Sequence, residues 1–323
     1  LYDFYGDREV VEQNYNGIVR QMDFLQEKAV EGLFHWDIGD HEALDPKAEA
    51  FSASAFYYHH AQLAARFAGL LGREADSIKY ARLSGGIKSA MVRKYLVPGT
   101  GRFDNGTQAA QIFALWYDLS PEKDKTMQVL MDEFVRHGGH VSTGIFATKM
   151  MFDVLRENDR NDVAYSVADA EGFPGWRHML DNGATTLWET WQYPEKYPSQ
   201  NHPMFGSISE WFFRSLLGIN PAAPGFKKIM LKPQPAAGLE WAKGSYRSVY
   251  GEIVSDWKMN GQHFSWTITI PPNTTAMVCI PSTEGKSVTI DGKVVQDIRY
   301  ENGYAVTALG SGTYSLVSDY KKQ

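Results

Sequence analysis

Cysteine is all but missing from this sequence: Cys279 stands alone, which excludes an intrachain disulfide and a thiolate metal cluster. It lies in an alternating apolar run, Ala276-Met277-Val278-Cys279-Ile280, and reads as a core thiol. No stretch of about 18 consecutive apolar residues occurs, so no transmembrane helix is expected. Long runs of one charge are missing too. A formal net charge of -6, dispersed along the chain, gives no electrostatic footprint for nucleic acid or for an anionic membrane surface. A neutral or weakly polar substrate fits better. There is no basic-then-apolar leader, and the chain opens on Leu1-Tyr2-Asp3-Phe4-Tyr5-Gly6-Asp7. It is therefore expected to be a piece of a longer polypeptide, whose upstream remainder would be its structural partner.

Several kinds of chemistry are also without their motifs. Gly99-Thr100-Gly101 and Ser84-Gly85-Gly86 lack the lysine or the strand context of a phosphate loop, and no serine sits in a nucleophile elbow. His59 and His60 are adjacent and cannot both face one metal from a helix. Phosphoryl and acyl transfer drop out, and neither a metal nor a cofactor is expected.

What is present is the composition of a globular protein, 43% hydrophobic and 22% charged, in 323 residues, enough for two domains. From about residue 7 to 218 apolar residues return every three or four positions, the period of helices packed on a core. Val10, Val11, Tyr15, Ile18, Val19, Met22, Phe24 and Leu25 form the first stripe. Others span roughly 50–72, 74–96, 107–118, 121–137, 144–158 and 159–170, with Leu71-Gly72, Pro98-Gly99, Ser120-Pro121 and His137-Gly138-Gly139 as turns between them. Phe51 to Tyr58 is apolar or small on more than one face, as helices packed on two sides would be. After Pro221-Ala222-Ala223-Pro224-Gly225-Phe226 the texture becomes short alternating runs: 229–232, 249–257, 263–270, 276–280, 288–290 and 304–308. Asn260-Gly261 and Asp291-Gly292 supply two-residue hairpin turns. The reading is a mainly α domain over 1–220 and a small antiparallel β-sandwich over 221–323.

Three stretches gather aromatic, acidic and histidine residues in loop contexts, where a helical scaffold presents its binding groups. They are Phe34-His35-Trp36-Asp37-Ile38-Gly39-Asp40-His41-Glu42, Gly183 to Gln192, and Ser199 to Ser207. In the second, Glu189 lies between Trp188 and Trp191. Indole faces stack on a pyranose, while a carboxylate can deprotonate water or stabilise an oxocarbenium-like transition state. Asp37, Asp40 and His202 could hydrogen-bond sugar hydroxyls, and Trp36 joins the same binding set. The residues alone leave a second reading open, with Glu189 capping a helix among core aromatics and Asp37 and Asp40 in loop or capping roles.

Gly183-Ala184-Thr185-Thr186-Leu187-Trp188-Glu189-Thr190-Trp191, then Asn201-His202-Pro203-Met204-Phe205-Gly206-Ser207-Ile208-Ser209-Glu210-Trp211, then Leu217-Gly218-Ile219 and Pro224-Gly225-Phe226, resemble the signature of glycoside hydrolase family 78, the α-L-rhamnosidases. Tyr5-Gly6-Asp7, Gly39-Asp40 and Thr143-Gly144 resemble its upstream text. The resemblance implies an (α/α)6 barrel, incomplete in this chain, followed by a β-sandwich, and inverting hydrolysis of terminal α-L-rhamnosides. It implies that Glu189 is the general base, that His202 contacts the rhamnose, and that Trp188, Trp191 and Asp40 line the pocket. Inversion needs a second, protonated carboxyl about 6.5–9.5 Å away. The family carries it in a segment upstream of the first helix here, so the isolated chain is expected to hold half the machinery and to be inactive. Two positions depart from the family pattern: His41 stands where tryptophan is usual, and Thr190 where arginine is common.

Two other functions are compatible with parts of the sequence. A lyase cleaving a rhamnosyl-glucuronate linkage would use His202 as base, but no arginine beside Glu189 neutralises a uronate. A non-catalytic carbohydrate-binding scaffold would keep the aromatics without needing Glu189. The substrate class points to a secreted or periplasmic location.

Overall fold

The computed structural model describes residues 1–192, 199–296 and 298–321. In chain order its α-helices are α1 (Tyr2–Tyr5), α2 (Glu9–Lys28), α3 (Glu49–Leu70), α4 (Glu74–Tyr95), α5 (Gln108–Trp116) and α6 (Lys123–Arg136). There follow α7 (Ile145–Glu157), α8 (Asn161–Ala168), α9 (Trp176–Asp181) and α10 (Ile208–Trp211). Contacts divide the chain into two compact units, Val11–Ile208 on one hand, and Leu1–Val10 with Ser209–Gln323 on the other. The first ten residues and the segment from residue 209 to 220, which the sequence placed with the helices, thus pack with the sheets.

The helical unit is the expected run of helical hairpins. In α3 the small residues Ala61, Ala64 and Ala68 are fully buried, and Ser77 of α4 donates its hydroxyl to the Ala65 carbonyl at 3.0 Å. Small side chains at three- and four-residue spacing let two helices approach closely. Phe51 of α3 is buried edge-on to Tyr95 and stacked on Phe103. Helix α5 is buried on every face from Gln108 to Leu115 and packs against α3, α6 and α7. Its start is set by Thr107, whose hydroxyl accepts from Ala110 N–H, an N-cap of the ordinary kind. Among the described residues no helix is long and apolar enough to cross a membrane.

The other unit holds two sheets. One runs β1 (Ile219–Pro221), β2 (Lys228–Leu231), β6 (Thr275–Pro281), β10 (Tyr304–Leu309), β9 (Arg299–Glu301), in that spatial order. The other runs β3 (Trp241–Ser248), β4 (Gly251–Asn260), β5 (His263–Ile270), β11 (Gly312–Asp319), β7 (Val288–Ile290), β8 (Lys293–Val294). Strict alternation in β5 sends Phe264, Trp266, Ile268 and Ile270 inward, where they meet Ile229, Leu231, Val278 and Ile280 of the first sheet in one core. The expected hairpin at Asn260-Gly261 joins β4 to β5, with Asn260 opposite His263. All strand pairs are antiparallel except β2 with β6, which is parallel. Three strands of the other sheet intervene in sequence between those two, giving the crossover that a parallel pair requires.

Candidate active site

The candidate site begins at Gln108, a polar side chain with no exposure at all. A buried amide needs partners at both ends, and Gln108 finds them in one strap of chain: its Nε2 donates to the His140 carbonyl at 2.9 Å and its Oε1 accepts from Ser142 N–H at 2.9 Å. The strap then runs through Thr143 and Gly144 into α7. Ser142 passes the connection on, since its carbonyl accepts from Leu44 N–H at 2.9 Å, in the loop that follows the first candidate stretch.

Asp40 closes that loop onto α7. Its Oδ2 accepts from Gly144 N–H at 2.6 Å, and its Oδ1 from Phe146 and Ala147 N–H at 3.0 Å each. These are otherwise unpaired amides of the helix start, and a carboxylate there also meets the positive end of the helix dipole. Asp40 is 2% exposed. Burial pushes its carboxyl up to about 6, while the three N–H bonds and the charge of Lys47 pull the other way. The approach depends on two glycines. A Cβ on Gly144 would stand 2.0 Å from the His41 carbonyl oxygen, and one on Gly39, whose φ is +68°, would meet the Lys47 Cβ at 2.7 Å. The result fixes His41, whose carbonyl accepts from Ile145 N–H at 2.8 Å.

Glu189 reaches the same place from the opposite side. The segment from Leu187 to Gln192 is irregular rather than the start of a helix. It is held by Trp191, fully buried, whose indole N–H donates to the Thr143 carbonyl at 2.7 Å. The Trp191 ring stacks on Phe205 at 3.8 Å and takes Trp176 edge-on at 5.0 Å. Backbone bonds tie the segment to the third stretch: Glu189 N–H donates to Ser199 O and His202 N–H to Leu187 O. Thr186 adds a short hydroxyl bond to the Gln200 carbonyl.

Three loops therefore converge on one carboxylate oxygen. Glu189 Oε1 lies 3.9 Å from His41 Nε2 and 3.9 Å from His202 Nε2. The Glu189 side chain is 29% exposed, accessible to a small molecule yet partly desolvated. His202 Nδ1 is buried and has no hydrogen-bond partner among the described residues. Its other ring nitrogen, Nε2, is the one that faces the Glu189 carboxylate.

Of the sequence-predicted residues, then, Glu189 and His202 are brought together. Asp40, Trp191 and Trp188 are not presented to a sugar. Both oxygens of Asp40 are taken up by α7, Trp191 is sealed by Phe205 and Trp176, and Trp188 is 3% exposed with His178 edge-on to it. These three hold the loops that carry His41 and Glu189. Asp37 accepts from the Ser52 hydroxyl at 2.9 Å and from Ile38 N–H at 2.7 Å. Trp36 is 66% exposed, edge-on to Phe34, and keeps an open face. Sequence reading missed the contact of His41 with Glu189. The signal available was its place directly after Gly39-Asp40, which the structure turns toward α7.

Asp45, Glu133 and His137 place ligand atoms within 4.8 Å of one another, the one such group of three among the described residues. The Arg136 guanidinium already lies among them, paired with both Glu133 oxygens, 2.9 Å from His137 Nε2 and 3.6 Å from Asp45 Oδ2. A cation thus already offsets one of the two carboxylate charges from within the group, and no metal is assigned to it.

A family profile described as the bacterial alpha-L-rhamnosidase 6 hairpin glycosidase domain matches residues 1–216, and one for the bacterial alpha-L-rhamnosidase C-terminal domain matches residues 218–294. An alpha-L-rhamnosidase of Streptomyces avermitilis is 32% identical over 330 residues, covering 97% of this chain and 31% of that protein. The solved structure of alpha-L-rhamnosidase from Dictyoglumus thermophilum superposes with a TM-score of 0.94 at 30% identity, covering 98% of this chain and 38% of that one. That of the S. avermitilis alpha-L-rhamnosidase complexed with L-rhamnose gives 0.92 at 29% identity, covering 98% and 32%. The chain spans about a third of the length of these relatives.

Proposed function

The chain belongs to the bacterial α-L-rhamnosidases, and from that membership we propose that it supplies the general base for hydrolysis of a terminal α-L-rhamnoside. Glu189 takes a proton from a water molecule as the water oxygen bonds to the anomeric carbon. The glycosidic C–O bond breaks and the departing oxygen takes a proton from a second carboxyl, with inversion at the anomeric carbon. That second carboxyl is assigned to the part of the polypeptide upstream of this chain. His202 donates its Nε2 proton to a sugar hydroxyl, and the open face of Trp36 stacks against the ring.

The observation that carries the reading is the position of Glu189: a partly buried carboxylate, held by the anchored Trp191, with one oxygen 3.9 Å from each of two imidazoles. Support comes also from the L-rhamnose bound by the S. avermitilis relative. A compartment outside the cytoplasm, secreted or periplasmic, suits such substrates.

The test is to incubate the full polypeptide that carries this chain with p-nitrophenyl α-L-rhamnoside and follow the freed sugar by proton NMR. β-L-rhamnose as the first-formed anomer is the expected product. Release of the α anomer first would replace the inverting route, and no release from this or from natural rhamnosides would reject the hydrolase reading.

A further inference from the structure

Glu189 Oε1 has a second imidazole beside it, and that imidazole has a carboxylate of its own. His41 Nε2 lies 3.9 Å from Glu189 Oε1 and 3.5 Å from Glu42 Oε1, so one ring nitrogen faces two acidic side chains. Each member is placed by the backbone rather than by chance side-chain rotation. His41 follows directly on Asp40, whose carboxylate is fixed by three α7 amides, and the His41 carbonyl is itself bonded to Ile145 N–H. Glu42 sits at φ +62°, a conformation that a residue with a side chain adopts only when its surroundings impose it. That conformation turns Glu42 so that it stands beside the ring of its own neighbour. The His41 and Glu42 side chains are 35% and 21% exposed, so this group borders the open side of Glu189 and is not part of the core.

We propose that His41, whose Nε2 is shared between Glu42 and Glu189, is a positioning residue for Glu189. At 3.9 Å neither His41 Nε2 nor His202 Nε2 is hydrogen-bonded to Oε1 in this structure, but each is near enough for a small movement to bring it into bonding distance; an Nε2–H bond from His41 would hold Oε1 and leave Oε2 to receive the proton of the attacking water. A carboxylate with both oxygens free would rotate about its last bond. A base held off line by about 1 Å can lose on the order of 100-fold in rate. The proposal rests on Glu189 acting as the base. Among the described residues, the charged and titratable groups shown beside His41 and Glu189 are Glu42, Glu189 and His202.

The test uses the full polypeptide with p-nitrophenyl α-L-rhamnoside and compares wild type, His41→Leu, His41→Gln and Glu42→Gln. Leucine removes the N–H at similar bulk, whereas glutamine keeps an amide N–H near the place of Nε2. His41→Leu should lower kcat about tenfold or more with KM changed less than about threefold, and His41→Gln should recover most of that loss. Glu42→Gln removes the carboxylate that competes with Glu189 for Nε2 and should leave kcat at or above that of wild type. A His41→Leu variant with wild-type kcat, or a His41→Gln variant as slow as His41→Leu, overturns the positioning role while leaving the hydrolase reading intact. A wild-type polypeptide inert on rhamnosides removes the premise, and the proposal with it. Circular dichroism of each variant separates loss of folding from loss of positioning, and His41→Gln alone decides the matter if the leucine variant does not fold.

Discussion

The indole N–H of Trp191 and the carbonyl of Thr143 form a 2.7 Å hydrogen bond between residues 48 positions apart, with both groups buried. Through it the loop that carries Glu189 is attached to the turn that starts α7, the same turn that Asp40 caps. One buried turn therefore sets the position of Glu189 and of His41 together.

Replacing Trp191 by Phe keeps a ring against Phe205 but leaves the Thr143 carbonyl without its donor. Loss of a buried hydrogen bond with one partner stranded costs about 1–3 kcal/mol. Urea unfolding should show a loss of that size, and kcat for rhamnoside hydrolysis should fall with it, because the Glu189 loop loses its tether.

Gly144→Ala tests the close approach of the two loops. Its Cβ would stand 2.0 Å from the His41 carbonyl oxygen and 2.7 Å from Ala43 N, both main-chain atoms that cannot turn aside. Forced separation of packed backbone should lower stability by about 3 kcal/mol, read as a fall in the thermal midpoint. Alanine at Gly183, where a Cβ would meet nothing within 4 Å but φ is +80°, should cost only about 1 kcal/mol.

Asp40 gives the helical unit a pH dependence of definite sign. Its carboxyl is raised from 3.8 to about 6 by burial, so between those values the folded chain holds a proton that the unfolded chain has released. The contribution of this group is fully present below about pH 4 and is lost as pH rises through about 6, roughly 2–3 kcal/mol in all. Denaturant unfolding of wild type and Asp40→Asn across that window should show the wild-type stability, relative to the variant, decreasing as pH rises. An increase over the same window would contradict the assignment.

Trp36 is open to solvent, so its removal should leave the fold untouched. For Trp36→Ala the unfolding free energy should change by no more than about 0.5 kcal/mol. KM should rise roughly 3- to 10-fold, the loss of one aromatic face against a sugar, with kcat little changed.

Much of this was legible in the sequence, because helix and strand periods report which side of an element is buried. The stripe read over 74–96 is α4 at Glu74–Tyr95, and the run at 263–270 is β5. Strand β3 was missed, since Trp241 to Ser248 carries Lys243, Gly244 and Arg247 and buries only its last residue well. Its inclusion in the sheet comes from pairing with β4 along its whole length, not from an apolar face. Glu189 and His202, which the structure brings within 3.9 Å of each other, could be picked out by residue type as candidates. The tasks of Asp40, Trp188 and Trp191 could not, because a capping carboxylate and a sugar-binding carboxylate look alike in sequence, as do a buried indole and an exposed one. What separates them is where the other bonding partner lies, and for Asp40 and Trp191 that partner is the start of α7, more than 40 residues away in the chain.

The most direct measurement is the turnover of p-nitrophenyl α-L-rhamnoside by the full polypeptide with Glu189→Gln, beside wild type and with L-rhamnose binding measured on both. Glutamine keeps the shape of the side chain and removes its capacity to take a proton. With Glu189 as the base, kcat falls by about 100- to 10,000-fold while L-rhamnose still binds. A variant that retains kcat within about threefold of wild type would show that the proton of the attacking water goes elsewhere and would contradict the assignment of Glu189 as the base.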